Sequence, residues 1–172
     1  MALVRRHTRF DPPPSALERQ LVPVVSVMLA SLAPLLPFVA TEPLLPPFGF
    51  MTLLAWRLLR VDLWPVWAAL PLGAFDDLFS GQPIGSAMAI WTVALLVLEA
   101  VDGRLVWRDH WQNWAIAACA IALELLFALG LAMVGGGATA PWFLLPQFVL
   151  SILLFPVVAR ICASLDRRRF AR

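Results

Sequence analysis

The sequence has no lysine: its thirteen basic residues are all arginine, against eleven acidic ones, and the formal net charge is only +2. So small a charge, spread over the ends and links, is too thin to grip a nucleic-acid backbone, and no nucleic-acid partner is expected. Histidine is scarce as well: His7 and His110 are the only two, and both lie beside charged links, which leaves no Ser–His nucleophile arrangement. The two cysteines, Cys119 and Cys162, sit in separate apolar runs without a CxxC pair or a nearby histidine. They are expected to be small packing residues, with no metal and no cofactor. Charged residues make up only 14% of the chain, far below the roughly 25% of a soluble domain.

What fills the chain is hydrocarbon: 61% of residues are hydrophobic and the mean hydropathy is +0.82. At about 20 residues per crossing, 172 residues hold six or seven spans and leave no length for a soluble domain. The expected fold is therefore all-α, a polytopic membrane protein with six transmembrane helices and both termini cytoplasmic. Residues 1–20, with Arg5, Arg6, Arg9, Arg19 and three consecutive prolines, form a flexible cytoplasmic arm. Residues 21–163 form the six-helix domain, with spans at 21–40, 43–59, 61–80, 83–101, 112–134 and 141–163, and residues 164–172 form a basic cytoplasmic tail. The first span is expected to bend at Pro34 or end near Pro37. The short, proline-bounded segment 43–59 is counted as a span because arginine-bearing and arginine-free links then alternate along the whole chain. Trp56, Trp64, Trp67, Trp107, Trp111 and Trp114 fall near the cytoplasmic boundary in this scheme, Trp142 near the outer one, and Trp91 deep.

One stretch is more specified than the rest, Gly73-Ala-Phe-Asp-Asp-Leu-Phe-Ser-Gly-Gln-Pro-Ile-Gly85. Ionisable residues within a membrane segment are functional candidates by default. Gly73, Asp77, Gly81 and Gly85 recur every four residues, although Pro83 ends the helix before Gly85. Asp77 is expected to tie the turn between the third and fourth spans by accepting backbone N–H bonds around Gly81 to Gly85, while the glycines let the helices approach closely. One acceptor would serve such a tie, so asparagine at 77 is expected to be mild. Asp76 is read as a helix-ending carboxylate, its further role open. Glu124 reaches the midplane of the fifth span and Gln147 a similar depth on the sixth, so a protonated Glu124 bonded to Gln147 is expected. Glu99 and Arg160, near cytoplasmic helix ends, are expected to pair.

The run Gly73-x-x-x-Asp77-Leu-Phe-Ser-Gly81-x-Pro83-Ile-Gly85 resembles the signature of the rod shape-determining MreD family of small multi-pass bacterial membrane proteins. Asp77 takes the family's Asp position, whereas Asp76 stands where the family has an apolar residue. The helix from Pro47 to Trp56 is similar as well, ending in Ala55-Trp56 where the family has an aromatic-Trp pair. The resemblance implies a non-catalytic scaffold of the cell-elongation complex in the bacterial inner membrane. It implies an MreC-like partner and, through it, MreB, RodA and the elongation transpeptidase of peptidoglycan synthesis. An enzyme is not expected, because the carboxylates lack the DDxxD spacing that would place metal ions on a diphosphate. The alternative is a small-solute-binding membrane subunit of an energy-coupling transporter, whose fold the family shares and to which kinked helices and a midplane Glu124 would suit.

Overall fold

The computed structural model describes residues 16–35, 45–103, 109–136, 142 and 144–170, and these form six α-helices. They are α1 (Ala16–Ser31), α2 (Phe48–Leu59), α3 (Ala69–Ser80), α4 (Ser86–Asp102), α5 (His110–Val134) and α6 (Leu144–Phe170). Prolines set most of the boundaries. A 3-10 turn at Ala33–Leu35 follows α1, so the α-helix stops before Pro34 and does not bend there. Pro46 and Pro47 precede α2, whose first turn takes a bond from Met51 N to Pro47 O (2.9 Å). Residues 61–65 do not continue into a third long helix. Pro65 lacks an N–H and keeps Trp64 out of helical geometry, so a 3-10 turn (Val66–Ala68) leads into a 12-residue α3. At the far end α6 runs on through the arginines to Phe170, so most of the expected tail is helix. Most of the N-terminal arm lies outside the described residues, as do Trp107 and the link at 137–140.

The core is built around α2. Every residue from Gly49 to Arg57 is buried, as befits a helix that is apolar on all sides. Helices α1, α5 and α6 pack against it, and α3 packs against α1 and pairs most closely with α4. Helix α6 holds α2 at both ends. Gln147 Nε2 donates to Leu45 O (2.6 Å) just ahead of α2, and Arg60 just after it donates to Asp166 Oδ2 (2.9 Å). The first bond overturns the expected Glu124–Gln147 pair. Leu45 O precedes two prolines with no N–H to offer, and the Gln147 amide supplies the missing donor.

Among the described residues, two helices are long and apolar enough to cross a membrane by length and composition, within Trp111–Val134 and Leu144–Arg168. Their outward stripes are hydrocarbon, as at Leu145, Val149, Leu153, Val157 and Ile161 on α6, while Ser151, Phe155 and Cys162 face in. By contrast α2 and α3, at 12 residues, are only about 18 Å long.

Arginines and tryptophans expected at the membrane boundary turn out to be partly core. Arg57 is 4% exposed and pairs with Asp102 at 2.7 Å, joining the C-terminal ends of α2 and α4. Trp56 and Trp64 are buried, and Trp56 Nε1 donates to Ser26 Oγ of α1 (2.8 Å). Trp67, Trp111 and Trp142 are exposed. Glu99 and Arg160 are both exposed, and they make no ion pair with each other among the described residues.

Candidate functional site

The Gly73–Gly85 stretch folds into the end of α3, a tight turn and the N-terminal cap of α4. Gly81 follows the last residue of α3 with φ +70°, the left-handed conformation that ends helices and suits glycine. Pro83 O accepts from Ser86 N (3.1 Å), and Gly85 occupies the N-cap of α4 with φ +99°. A glycine there has no side chain with which to cap the helix. Asp77, one helix back, supplies the cap instead.

Asp77 is 3% exposed and both of its carboxyl oxygens are engaged. Oδ2 accepts from Gly85 N (2.8 Å) and, at the long limit, from Met88 N (3.5 Å). Oδ1 accepts from Ala87 N (2.8 Å) and from the Ser86 hydroxyl (2.9 Å), for which Gln82 Oε1 competes at 3.1 Å. The bonds thus run from Gly85 to Met88, the first turn of α4, where orphan N–H groups and the positive end of the helix dipole favour a carboxylate. They begin at Gly85, the end of the Gly81–Gly85 region read from the sequence, and continue into α4. Because both oxygens accept, asparagine is not an equivalent, and a larger effect than the mild one read from the sequence is expected.

The glycines divide into two kinds. Gly73, one turn before Asp77, is the close-packing one: a Cβ there would lie 2.7 Å from Met88 N and Cα. At Gly81 and Gly85 a Cβ would meet nothing within 4 Å, so these two are required by their φ and not by helix approach. Close packing expected of all three is therefore a property of Gly73 alone. Pro83 is exposed in the turn.

Asp76, 100° further back around α3, turns away from this cap towards α1 and α2. Its Oδ1 and the Ser31 hydroxyl fill the place where a Cβ of Gly49 would stand. Glu124 on α5 is 8% exposed. Gln147 is elsewhere, on Leu45. The structure thus gives the predicted polar residues separate places: Asp77 caps α4, Asp76 faces Ser31 and Gly49, Glu124 is buried on α5, and Gln147 ties α6 to Leu45.

Sequence reading missed Gly49, Ser31 and Ser86. The only signal for Gly49 was its position two residues after Pro46-Pro47, and Ser86 directly follows the N-cap glycine. Among the described residues, no group of three or more His, Cys, Asp or Glu side chains is placed to hold a metal ion.

No family model, no curated protein and no solved structure matches this chain.

Proposed function

We propose that this chain is a non-catalytic membrane scaffold that works by presenting helix faces and loop tips to other membrane proteins. In this reading all six helices are embedded, both termini are cytoplasmic, and the membrane is a bacterial inner membrane. The observation that carries it is the state of Asp77. The most conspicuous carboxylate in the sequence has both oxygens committed to the first turn of α4 and is closed off from solvent, so it builds the site instead of acting in it. Helix α2 fits the reading because it is buried from Gly49 to Arg57, so that protein surrounds most of its 12 residues. Exposed apolar stripes on α5 and α6 supply lipid- or partner-facing surface.

The resemblance of the Gly73–Gly85 run to the MreD signature names the partner to test, an MreC-like protein, with MreB, RodA and the elongation transpeptidase reached through it. Co-purification from detergent is the assay. Wild type and Asp76→Asn should retain the partner, whereas Gly73→Leu, which forces α3 from α4, should lose it while the chain still accumulates. Retention by Gly73→Leu at wild-type abundance would remove the α3–α4 turn from the partner surface. Topology is tested by cysteine labelling after residues 41, 82, 137 and 172. Outside signals at the first three and an inside signal at the last are expected, and a cytoplasmic signal at 137 would end the six-span arrangement. A solute-binding subunit of a transporter is the second reading, favoured by the unbonded polar atoms inside the bundle. A co-purifying ATPase pair in place of an MreC-like protein would support it.

A further inference from the structure

Helix α6 does not stop where its apolar stripe ends. It continues as helix to Phe170, so the arginines near its end hold fixed angles around it instead of trailing from it. Seven residues make two turns less about 20°, so one face of a helix can be followed in steps of seven. Leu153, Arg160 and Arg167 stand in one such row and Ile161 and Arg168 in another, and all five are exposed. The opposite face is the packed one: Ser151, Phe155, Cys162 and Asp166 are buried, and α2, α5 and α1 are the neighbours of α6. The outward face of α6 is therefore hydrocarbon from Leu145 to Ile161 and carries guanidinium groups from Arg160 to Arg168.

The arginines of this end divide by what answers their charge. Arg57 is held by Asp102 and Arg60 by Asp166, both within the fold. Arg160, Arg167 and Arg168 make no ion pair among the described residues. Asp166, their nearest carboxylate in the sequence, accepts from Arg60 on the inner face. Length then sets the depth of each. From Leu144 the helix rises about 24 Å to Arg160 and about 35 Å to Arg167, against about 30 Å of hydrocarbon and 40 to 45 Å for a bilayer with its headgroups. With Leu144 at one edge of the hydrocarbon, Arg160 lies just inside the other, where its long side chain reaches out to the phosphates, and Arg167 and Arg168 lie among the headgroups. A guanidinium offers paired N–H donors that match a phosphate. The C-terminal end of a helix offers carbonyls and no free N–H, so recognition here falls to the side chains.

We propose that the C-terminal end of α6 is a binding site for acidic phospholipid, with acyl chains against Leu153, Val157 and Ile161 and the phosphodiester held by Arg160, Arg167 and Arg168. Charge complementarity and continuity choose this occupant. A lipid joins an anion to hydrocarbon in the order in which this face presents their complements. A free phosphate would leave the stripe unmatched, and an acidic segment of a soluble protein would not reach Arg160 at the hydrocarbon edge. The site rests on the embedded reading of α6 given above and on no protein partner. Because Asp166 on the inner face of the same turns ties Arg60, lipid held on the outer face bears on how firmly α6 closes over α2.

The test uses the full chain in phosphatidylcholine vesicles with a trace of spin-labelled lipid, either phosphatidylcholine or phosphatidylglycerol, and reads the fraction of label held motionally restricted by the protein. Wild type should restrict both and favour phosphatidylglycerol about five-fold at low salt, roughly the pull of one arginine near an anionic surface, and the preference should fade as salt rises. Arg160→Gln, Arg167→Gln and Arg168→Gln together should restrict phosphatidylcholine as before and lose the preference. Lysine at the three positions should keep only part of it, because an ammonium does not grip phosphate bidentately. An equal hold on the two lipids by wild type, or a preference that survives the glutamine changes, would overturn the proposal. So would loss of the preference when inorganic phosphate replaces chloride at constant ionic strength, which would make a free anion the ligand. Restriction of neither lipid would take the embedded reading down with the site, so the two failures are told apart. Should the glutamine variant fail to fold, the wild-type comparison of the two lipids still decides.

Discussion

Replacing Asp77 by asparagine tests the central feature of the α3–α4 turn with the smallest change in shape. The aspartate gives two acceptor oxygens to three short bonds, from Gly85 N (2.8 Å), Ser86 Oγ (2.9 Å) and Ala87 N (2.8 Å). An asparagine keeps one acceptor. Placed to serve Ser86 and Ala87, it points its NH2 at the Gly85 N–H, donor against donor. Flipped, it serves Gly85 and faces two donors instead. The loss is at least one charge-assisted bond, worth about 1.5 to 3 kcal/mol, together with part of the cost of about 1 to 3 kcal/mol for a donor left unbonded. Asp77→Asn should therefore destabilise by about 2 to 4 kcal/mol, and Asp77→Leu, which removes the whole cap, by about 3 to 5. Since 1.4 kcal/mol is a factor of ten, the lower bound already means a roughly thirty-fold shift in the folding equilibrium. Ser86→Ala deletes one donor and one of its bonds, and should cost about 1 kcal/mol. Heating in detergent followed by size-exclusion chromatography ranks the variants. The expected order of survival is wild type, Ser86→Ala, Asp77→Asn, Asp77→Leu. Asp77→Asn surviving as well as wild type, with Asp77→Leu no worse than Ser86→Ala, would refute the capping argument.

The same heating assay separates the two kinds of glycine. Gly73→Ala drives a Cβ to 2.7 Å from the Met88 backbone and should cost about 1 to 3 kcal/mol by overpacking, which a compensating change on α4 cannot relieve because the obstacle is main chain. Gly85→Ala and Gly81→Ala meet open space, so their cost, about 1 to 2 kcal/mol, comes from φ alone, and asparagine should be tolerated better than alanine at Gly81. Arg57→Met breaks an ion pair buried on both sides and should lower stability by about 3 to 5 kcal/mol, whereas Arg60→Met, where the arginine is 43% exposed though Asp166 is buried, should cost less; a larger loss at Arg60 would contradict the burial argument.

Much of this architecture is legible in the sequence because proline and glycine have local meaning. Pro47 opens α2, Gly81 closes α3 and Gly85 precedes α4, each at a place that follows from backbone geometry alone. Pro65 carried the same information, yet the apolar run around it, Leu63 to Leu72, read as continuous helix by hydropathy. The candidate site was legible only as far as its spacing. That Asp77 faces one neighbour and Asp76 another follows from their 100° separation, but which helix stands on each side depends on tertiary packing. Gln147 shows the limit. Equal depth with Glu124 suggested a pair, and depth says nothing about azimuth: the amide turned to an orphan carbonyl before α2. Arg57 was read as a loop charge because its partner, Asp102, is 45 residues away and invisible to any local pattern.

The hold of α6 on both ends of α2 also sets an order for making the protein. Gln147 reaches back 102 residues to Leu45, and Arg60 reaches forward 106 to Asp166. Helix α2 is the second to leave the ribosome and α6 the last, so the innermost helix must wait, with Arg57 in its last turn, until nearly the whole chain has been synthesised. During that interval its short apolar barrel has α1 beside it and α4 at Phe50 and Arg57, and the flank destined for α5 and α6 is open. A chain cut short before residue 144 would therefore keep α1 to α5 and still lack a closed interior, so α6 is the element that seals α2.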